Sequence, residues 1–326
     1  MGESGLSDAG TFEELLSDHR FVVTAELSPP DCADAEEVYS RARVFDGYVD
    51  AVCSSDGRAP ERRMSTLAVC ALLERRGYTT VMSVSARDRN RRALEGDVLG
   101  ASALGITNLL CLGQDDDQTD RDADAHPVRD LDSTSLIATL CTMRDEARSA
   151  NGAATAFAPR LFVGAAIDPF HGPIAERVDA LSEKIAAGAA FVQTRHCFDV
   201  ERLESFMDEV RDRGLDEKCA IIVGVGPIES ARAARRMRRE SPGLHIPDDV
   251  IERLERAVRP RHEGRRMCME LIQRIREIEG IAGVHVVAHR QEETVAEIID
   301  ASGVLAGRMP WNPASGADLS LKRASL

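Results

Sequence analysis

Eight short apolar runs recur along the chain, and a stretch with helical periodicity follows each of them. This alternation restricts the fold more than any other feature. Parallel strands cannot be joined by a tight turn, so each pair needs a crossover, and a helix supplies it while covering one face of the sheet. The runs fall at residues 21–26, 48–54, 79–85, 107–112, 161–167, 190–194, 219–225 and 284–288. Between them lie helical stretches such as 61–76, where Met64, Leu67, Ala68, Ala71 and Leu72 keep one face apolar. The segment 246–280 adds extra helix before the last strand, with Pro247-Asp248-Asp249 as its start signal. Eight strand-helix units predict a single (β/α)8 TIM barrel with extra helices before the eighth strand. A doubly wound open sheet is the alternative, but no Gly-x-Gly-x-x-Gly turn follows the first strand. The expected organisation is an N-terminal helical extension over 1–18, a barrel over 19–305 and a flexible C-terminal tail over 306–326.

Composition narrows what such a barrel could do. The 326 residues carry 41 basic and 55 acidic side chains, a formal charge of −14, which argues against nucleic acid. Lysine occurs only at 184, 218 and 322, so arginine supplies nearly all the positive charge, as base composition alone would produce. The eight cysteines form no Cys-x-x-Cys pair and no cluster with histidine, so no metal site is expected. Cys53, Cys70, Cys111 and Cys219 lie in apolar runs, where a reduced thiol behaves as a small hydrophobe. No apolar run approaches the roughly 18 residues of a membrane span, and no signal peptide is visible; a cytoplasmic protein is expected.

The strand ends are where chemistry is expected. The run at 107–112 stops at Gly113-Gln114-Asp115, and a carboxylate at such a tip is costly unless it faces a cavity or ligand. Other strands end in the same way: Glu26; Ser54-Ser55-Asp56; Ser83 and Ser85; Asp168; Thr194-Arg195-His196. One such residue is ordinarily a helix cap or turn former, whereas several converging on one barrel mouth make a site. The further aspartates at 116, 117, 120, 122 and 124 read as solvated loop.

Several motifs resemble the methylenetetrahydrofolate reductase family over roughly residues 20–305. Ala86-Arg87-Asp88-Arg89-Asn90, with Leu94, Asp97, Leu99-Gly100-Ala101 and Ala103-Leu104-Gly105-Ile106, is similar to the family's Cys-Arg-Asp-Arg-Asn and Leu-Leu-Gly-Ala-x-Ala-Leu-Gly-Ile block. Asp168-Pro169-Phe170 resembles its Asn-Pro-Phe segment. Lys184, Ala187-Gly188-Ala189-Ala190-Phe191 and the stretch from Thr194 to Asp199 resemble its Lys-Val-x-Ala-Gly-Ala-x-Phe-x-x-Thr-Gln-x-x-Phe-Asp. Gly224-Val225-Gly226-Pro227-Ile228 matches the exit of its seventh strand.

The resemblance implies a flavin-bearing barrel, with FAD or FMN, that reduces 5,10-methylenetetrahydrofolate to 5-methyltetrahydrofolate in one-carbon metabolism and methionine biosynthesis. It implies that Glu26 protonates N10 of the folate and that Asp115 sits between flavin and pterin as a catalytic and substrate-binding residue. Thr194 and Arg195 fall at substrate-binding positions. Ser55, Ser83, Gly113, Gln114, Asp168 and Lys184 fall at cofactor-binding positions. The implied partners are a folate substrate, an electron donor that is NAD(P)H or a redox protein, and further subunits in a homo-oligomer or complex.

Three residues depart from the family pattern. Ser83 replaces the histidine of His-Leu-Thr-Cys, Gln114 replaces the glycine of Arg-Gly-Asp or Thr-Gly-Asp, and Arg195 replaces the glutamine after Thr194. Arginine is bulky, permanently charged and a donor only. Two other readings therefore stay open: an accessory member that docks with a redox partner, and a flavin barrel acting on a different anionic substrate.

Overall fold

The computed structural model describes residues 11–55, 63–113, 128, 130–241, 243–288 and 291–310. Helix α1 (Phe12–Ser17) opens the described chain, closed at its start by a capping box between Thr11 and Glu14. Strand-helix units follow: β1 (Val22–Glu26), α2 (Ala35–Ala42), β2 (Ala51–Ser54), α3 (Thr66–Arg75), β3 (Thr80–Ser85), α4 (Arg91–Ala103), β4 (Asn108–Leu112) and α5 (Ser133–Glu146). The second half runs β5 (Phe162–Ile167), α6 (Ile174–Ala186), β6 (Phe191–His196), α7 (Val200–Asp212), β7 (Ala220–Val225), α8 (Ala231–Glu240), α9 (Asp248–Arg256), α10 (Pro260–Arg276), β8 (Ile281–Val286) and α11 (Glu292–Ser302). All eight strands are parallel, and β1 pairs with β8, so the sheet closes into a barrel. This is the predicted (β/α)8 architecture.

Alternation along each strand divides the core in two. Val23, Ala25, Val52, Val84, Leu109 and Val163 face outward to the helices. Val22, Ala51, Cys53, Val81, Leu110, Phe162, Phe191 and Ile222 fill the barrel interior. Helix α1 closes the floor. Phe12 meets Phe162 and Phe191 edge-on at 6.2 and 5.5 Å between ring centroids, and those two rings stack at 5.2 Å. Within the stretch expected to be tail, Arg308 bonds both oxygens of the buried Asp50 and the carbonyl of Phe21.

Three strands differ most from expectation, β2 by starting at Ala51 rather than 48. β8 begins at Ile281, three residues earlier than the sequence reading placed it. The reason is Gly283, which reads as a strand break but lies inside β8: a Cβ there would stand 2.3 Å from the Val22 carbonyl oxygen. β6 runs two residues past Thr194 to His196, with a shift of register against β7 between Gln193 and His196. The extra helices expected over 246–280 are α9 and α10, and α9 joins α8 in a satellite core of Ile228, Ala231, Ala234, Ile246, Ile251 and Leu254, with Phe198 packed against it. The loop after α8 therefore lies beside the exits of β5 and β6: a Cβ on Gly243 would be 3.1 Å from an Asp168 carboxylate oxygen, and His245 pairs with Asp199 at 3.1 Å.

Candidate active site

Glu26 is the last residue of β1, on the inward face that it shares with Val22 and Thr24, and it is half-buried. Its register partner is Cys53 of β2. Burial above all pushes the Cys53 thiol up to about 12; a hydrogen bond from Thr24 opposes this and the nearby Glu26 charge adds to it. Cys53 is therefore an inert thiol in the wall of the site. Below Glu26, the Thr24 hydroxyl and His285 Nδ1 are 2.9 Å apart. Burial first, then the neighbouring His196, depress the pKa of His285 to about 3, so it carries no charge at neutral pH. His196 ends β6, stacked on Phe198 at 6.0 Å, with its ring 3.2 Å from where a Cβ on Gly226 would sit.

His285 escaped the sequence reading, which placed no site residue on the eighth strand. No local signal marked it: it faces inward opposite Thr24 only once β8 closes on β1.

Of the expected cofactor positions, Ser55, Ser83, Gly113 and Asp168 lie at this mouth. Ser83 is buried and shares an inward register with Leu110, while its carbonyl accepts a 3.2 Å bond from the Thr66 hydroxyl at the start of α3. Ser55 lies half-buried just past β2, and Gly113 is buried just past β4. Gln114, Asp115 and Asp56 lie outside the described residues. Lys184 sits on α6 and donates to the Ala166 carbonyl at 2.6 Å. It is close enough to oppose the rise that burial causes in the thiol of Cys111, which faces outward from β4, so its ammonium lies between helix and strand.

The two expected substrate positions on β6 are held by the protein itself. The Thr194 hydroxyl donates to the Arg195 carbonyl at 2.7 Å and accepts from the Gly224 amide at 3.0 Å, closing the irregularity between β6 and β7. Arg195 Nε lies 3.6 Å from Asp168 Oδ2, and Asp168 Oδ1 accepts from the Phe170 amide at 2.9 Å. Arg195 and Asp168 thus form one ion pair across the exits of β5 and β6. Among the described residues no group of three His, Cys, Asp or Glu side chains is placed to hold a metal, and no helix is long and apolar enough to cross a membrane.

A closed parallel barrel with a carboxyl, an uncharged imidazole, several hydroxyls and an ion pair gathered at its carboxyl-terminal mouth is a barrel of the enzyme class. The family model for methylenetetrahydrofolate reductase matches residues 11–303. The chain belongs to the methylenetetrahydrofolate reductase family, whose members are oxidoreductases. It is 24% identical over 311 residues to a probable methylenetetrahydrofolate reductase (NADPH) of Caenorhabditis elegans, a match covering 90% of this chain and 44% of that protein. The chain therefore spans less than half the length of that relative. Its fold is similar to a solved protein of Clostridium thermocellum described as uncharacterized and as binding two copies of 5-methyl-5,6,7,8-tetrahydrofolic acid. There the TM-score is 0.64 at 13% identity, covering 90% of this chain and 98% of the other, a likeness of fold alone.

Proposed function

We propose that this chain is a flavin-dependent reductase of one-carbon folate metabolism, converting 5,10-methylenetetrahydrofolate to 5-methyltetrahydrofolate. The observation that carries this reading is the position of Glu26, a half-buried carboxyl on the inner face at the barrel mouth, in a chain of this family. Opening the five-membered ring of the folate requires a proton on the departing N10, and a carboxyl at the mouth can hold and deliver one. Beneath it, His285 is uncharged, so it adds no positive charge that would hold Glu26 in its ionised form.

The residues present suit a phosphorylated flavin, FAD or FMN. The hydroxyls of Ser55 and Ser83, the backbone at Gly113 and the ion-paired Arg195 and Asp168 supply hydrogen-bonding groups around one mouth. Gln114 and Asp115 would complete that set from the segment after β4, and Lys184 would stiffen its β5 side by fixing the Ala166 carbonyl. When bound, the flavin supplies the hydride. The protein's part is to orient the folate, exclude water and hold the proton at Glu26, with Asp115 on the pterin side and Thr194 fixing the β6–β7 wall behind it. The electron donor is NAD(P)H or a redox protein, and the working unit is a homo-oligomer or part of a complex.

Glu26→Gln tests the reading. The variant should keep flavin bound and reducible yet lose folate turnover by roughly 100-fold or more, the usual worth of a positioned acid. Stopped-flow measurement of the two half-reactions separates them. Loss of flavin reduction with folate-driven reoxidation intact would remove Glu26 from the acid role.

A further inference from the structure

Three guanidinium groups converge at the exits of β5 and β6, in a chain whose overall charge is −14. Arg177, in the first turn of α6, donates through Nε to the Pro173 carbonyl at 3.2 Å, while its Nη1 is buried with no hydrogen-bond partner. Arg202, in the first turn of α7, donates to the Phe170 carbonyl at 3.2 Å and lies 3.7 Å from Asp199. Arg195 completes the group through its pair with Asp168. Burial, then the repulsion of Arg202, lower the pKa of Arg177, and Asp168 opposes them.

Among the described residues, the two carboxylates paired with these groups are already committed. Asp168 holds the Phe170 amide with one oxygen and Arg195 with the other. Asp199 caps α7 with one oxygen and meets both Arg202 and His245 with the other. The acid beside Arg177, Glu176, is exposed and lies toward the turn at Gly172. Arg177 and Arg202 thus repel each other beside carboxylates that are already shared, and a buried nitrogen of the Arg177 fork has no acceptor. A guanidinium fork in that condition matches the paired oxygens of a phosphate.

We propose that Arg177 and Arg202, with Arg195 behind them, form a phosphate-binding site at the exits of β5 and β6. The phosphate belongs either to a bound flavin or to a separate phosphorylated ligand. The site itself does not depend on the reductase reading; only its assignment to the flavin phosphate rests on that.

The test uses inorganic pyrophosphate as probe on the purified protein supplemented with FAD, in a buffer free of other multivalent anions. Pyrophosphate is titrated while heat, flavin release and thermal midpoint are followed for the wild type, Arg177→Gln and Arg202→Gln. Saturable binding without flavin release would assign the site to a separate ligand, and competitive release of flavin would assign it to the cofactor phosphate. In either case each substitution should weaken the measured affinity about tenfold or more, the usual size of one lost charge-assisted bond. In the separate-ligand case, a hundredfold excess over Kd should raise the wild-type midpoint by roughly 5 °C. The proposal is overturned if pyrophosphate neither binds nor displaces flavin, or if both substitutions leave its effect unchanged. It is also overturned if Arg177→Gln by itself lowers the midpoint by several degrees without added anion, because Nη1 would then be serving the fold. Failure here leaves folate turnover untouched, so it is distinguishable from failure of the reductase reading.

Discussion

By the resemblance of its motif, Arg195 falls where the family carries a glutamine, and its Nε lies 3.6 Å from Asp168. The pair softens but does not cancel the charge, because Asp168 also serves the Phe170 amide. A nicotinamide gains positive charge as it gives up hydride, so a neighbouring cation opposes that step. If the chain carries the flavin proposed above, NADH or NADPH should therefore reduce it slowly, and Arg195→Gln should speed that reduction about tenfold, equivalent to ~1.4 kcal/mol of relieved repulsion. Stopped-flow bleaching reads this directly, and fast wild-type reduction that the substitution leaves alone would refute it. His285 makes a different prediction, about stability. Its neutral form is the folded one, so below pH 6.5 the unfolded chain takes up a proton that the folded chain refuses until about pH 3. This contribution is fully present above pH 6.5 and is lost as pH falls, by up to about 1.4 kcal/mol per unit. Urea midpoints at pH 7.5 and 5.5 should separate more for the wild type than for His285→Gln.

At the scale of elements, local propensity and tertiary contact disagree most clearly at Gly264. In the interior of α10, replacing glycine by alanine ought to stabilise the helix by about 1 kcal/mol. A Cβ there, however, would lie 1.9 Å from the Ile228 carbonyl oxygen at the exit of β7. The helix would have to move off the strand end, at a cost of about 1–3 kcal/mol. Gly264→Ala should therefore lower the thermal midpoint, and a rise would show that α10 can shift freely. Gly283 in β8 follows the same logic against Val22, and both glycines were invisible as contacts in the sequence. Helix starts are set locally instead: Asn90 caps α4, Asp199 caps α7 and Ser230 caps α8 through their own side chains, and Ser65 caps α3, which starts at Thr66 rather than at the expected 61.

The whole molecule depends on closing a tube whose inner face is apolar below and polar above. The aromatic cluster of Phe12, Phe162 and Phe191 seals the lower end, and Gly164 leaves room for the Phe191 ring, which would lie 2.4 Å from a Cβ there. Phe12→Ala opens a cavity in that floor and should cost about 3–5 kcal/mol in urea unfolding while leaving the proposed flavin binding at the opposite end intact. A loss of flavin affinity would mean that the floor also shapes the mouth. The fold class was legible in sequence because strand-helix alternation, burial periodicity and capping are all short-range. The strand-end residues Glu26, Ser83, Asp168 and Arg195 were legible for the same reason: each follows an apolar run. Spacing along the chain could not say which of them face one another. Closure of β1 on β8 brings His285 to Thr24 across 261 positions, and the β5–β6 exits join Arg195 to Asp168. The sequence by itself determined the barrel and the residues at its rim, since these depend on local periodicity. Only the tertiary structure decided the neutral histidine beneath Glu26 and the pairing of Arg195 with Asp168, since burial and charge pairing arise between residues distant in the chain.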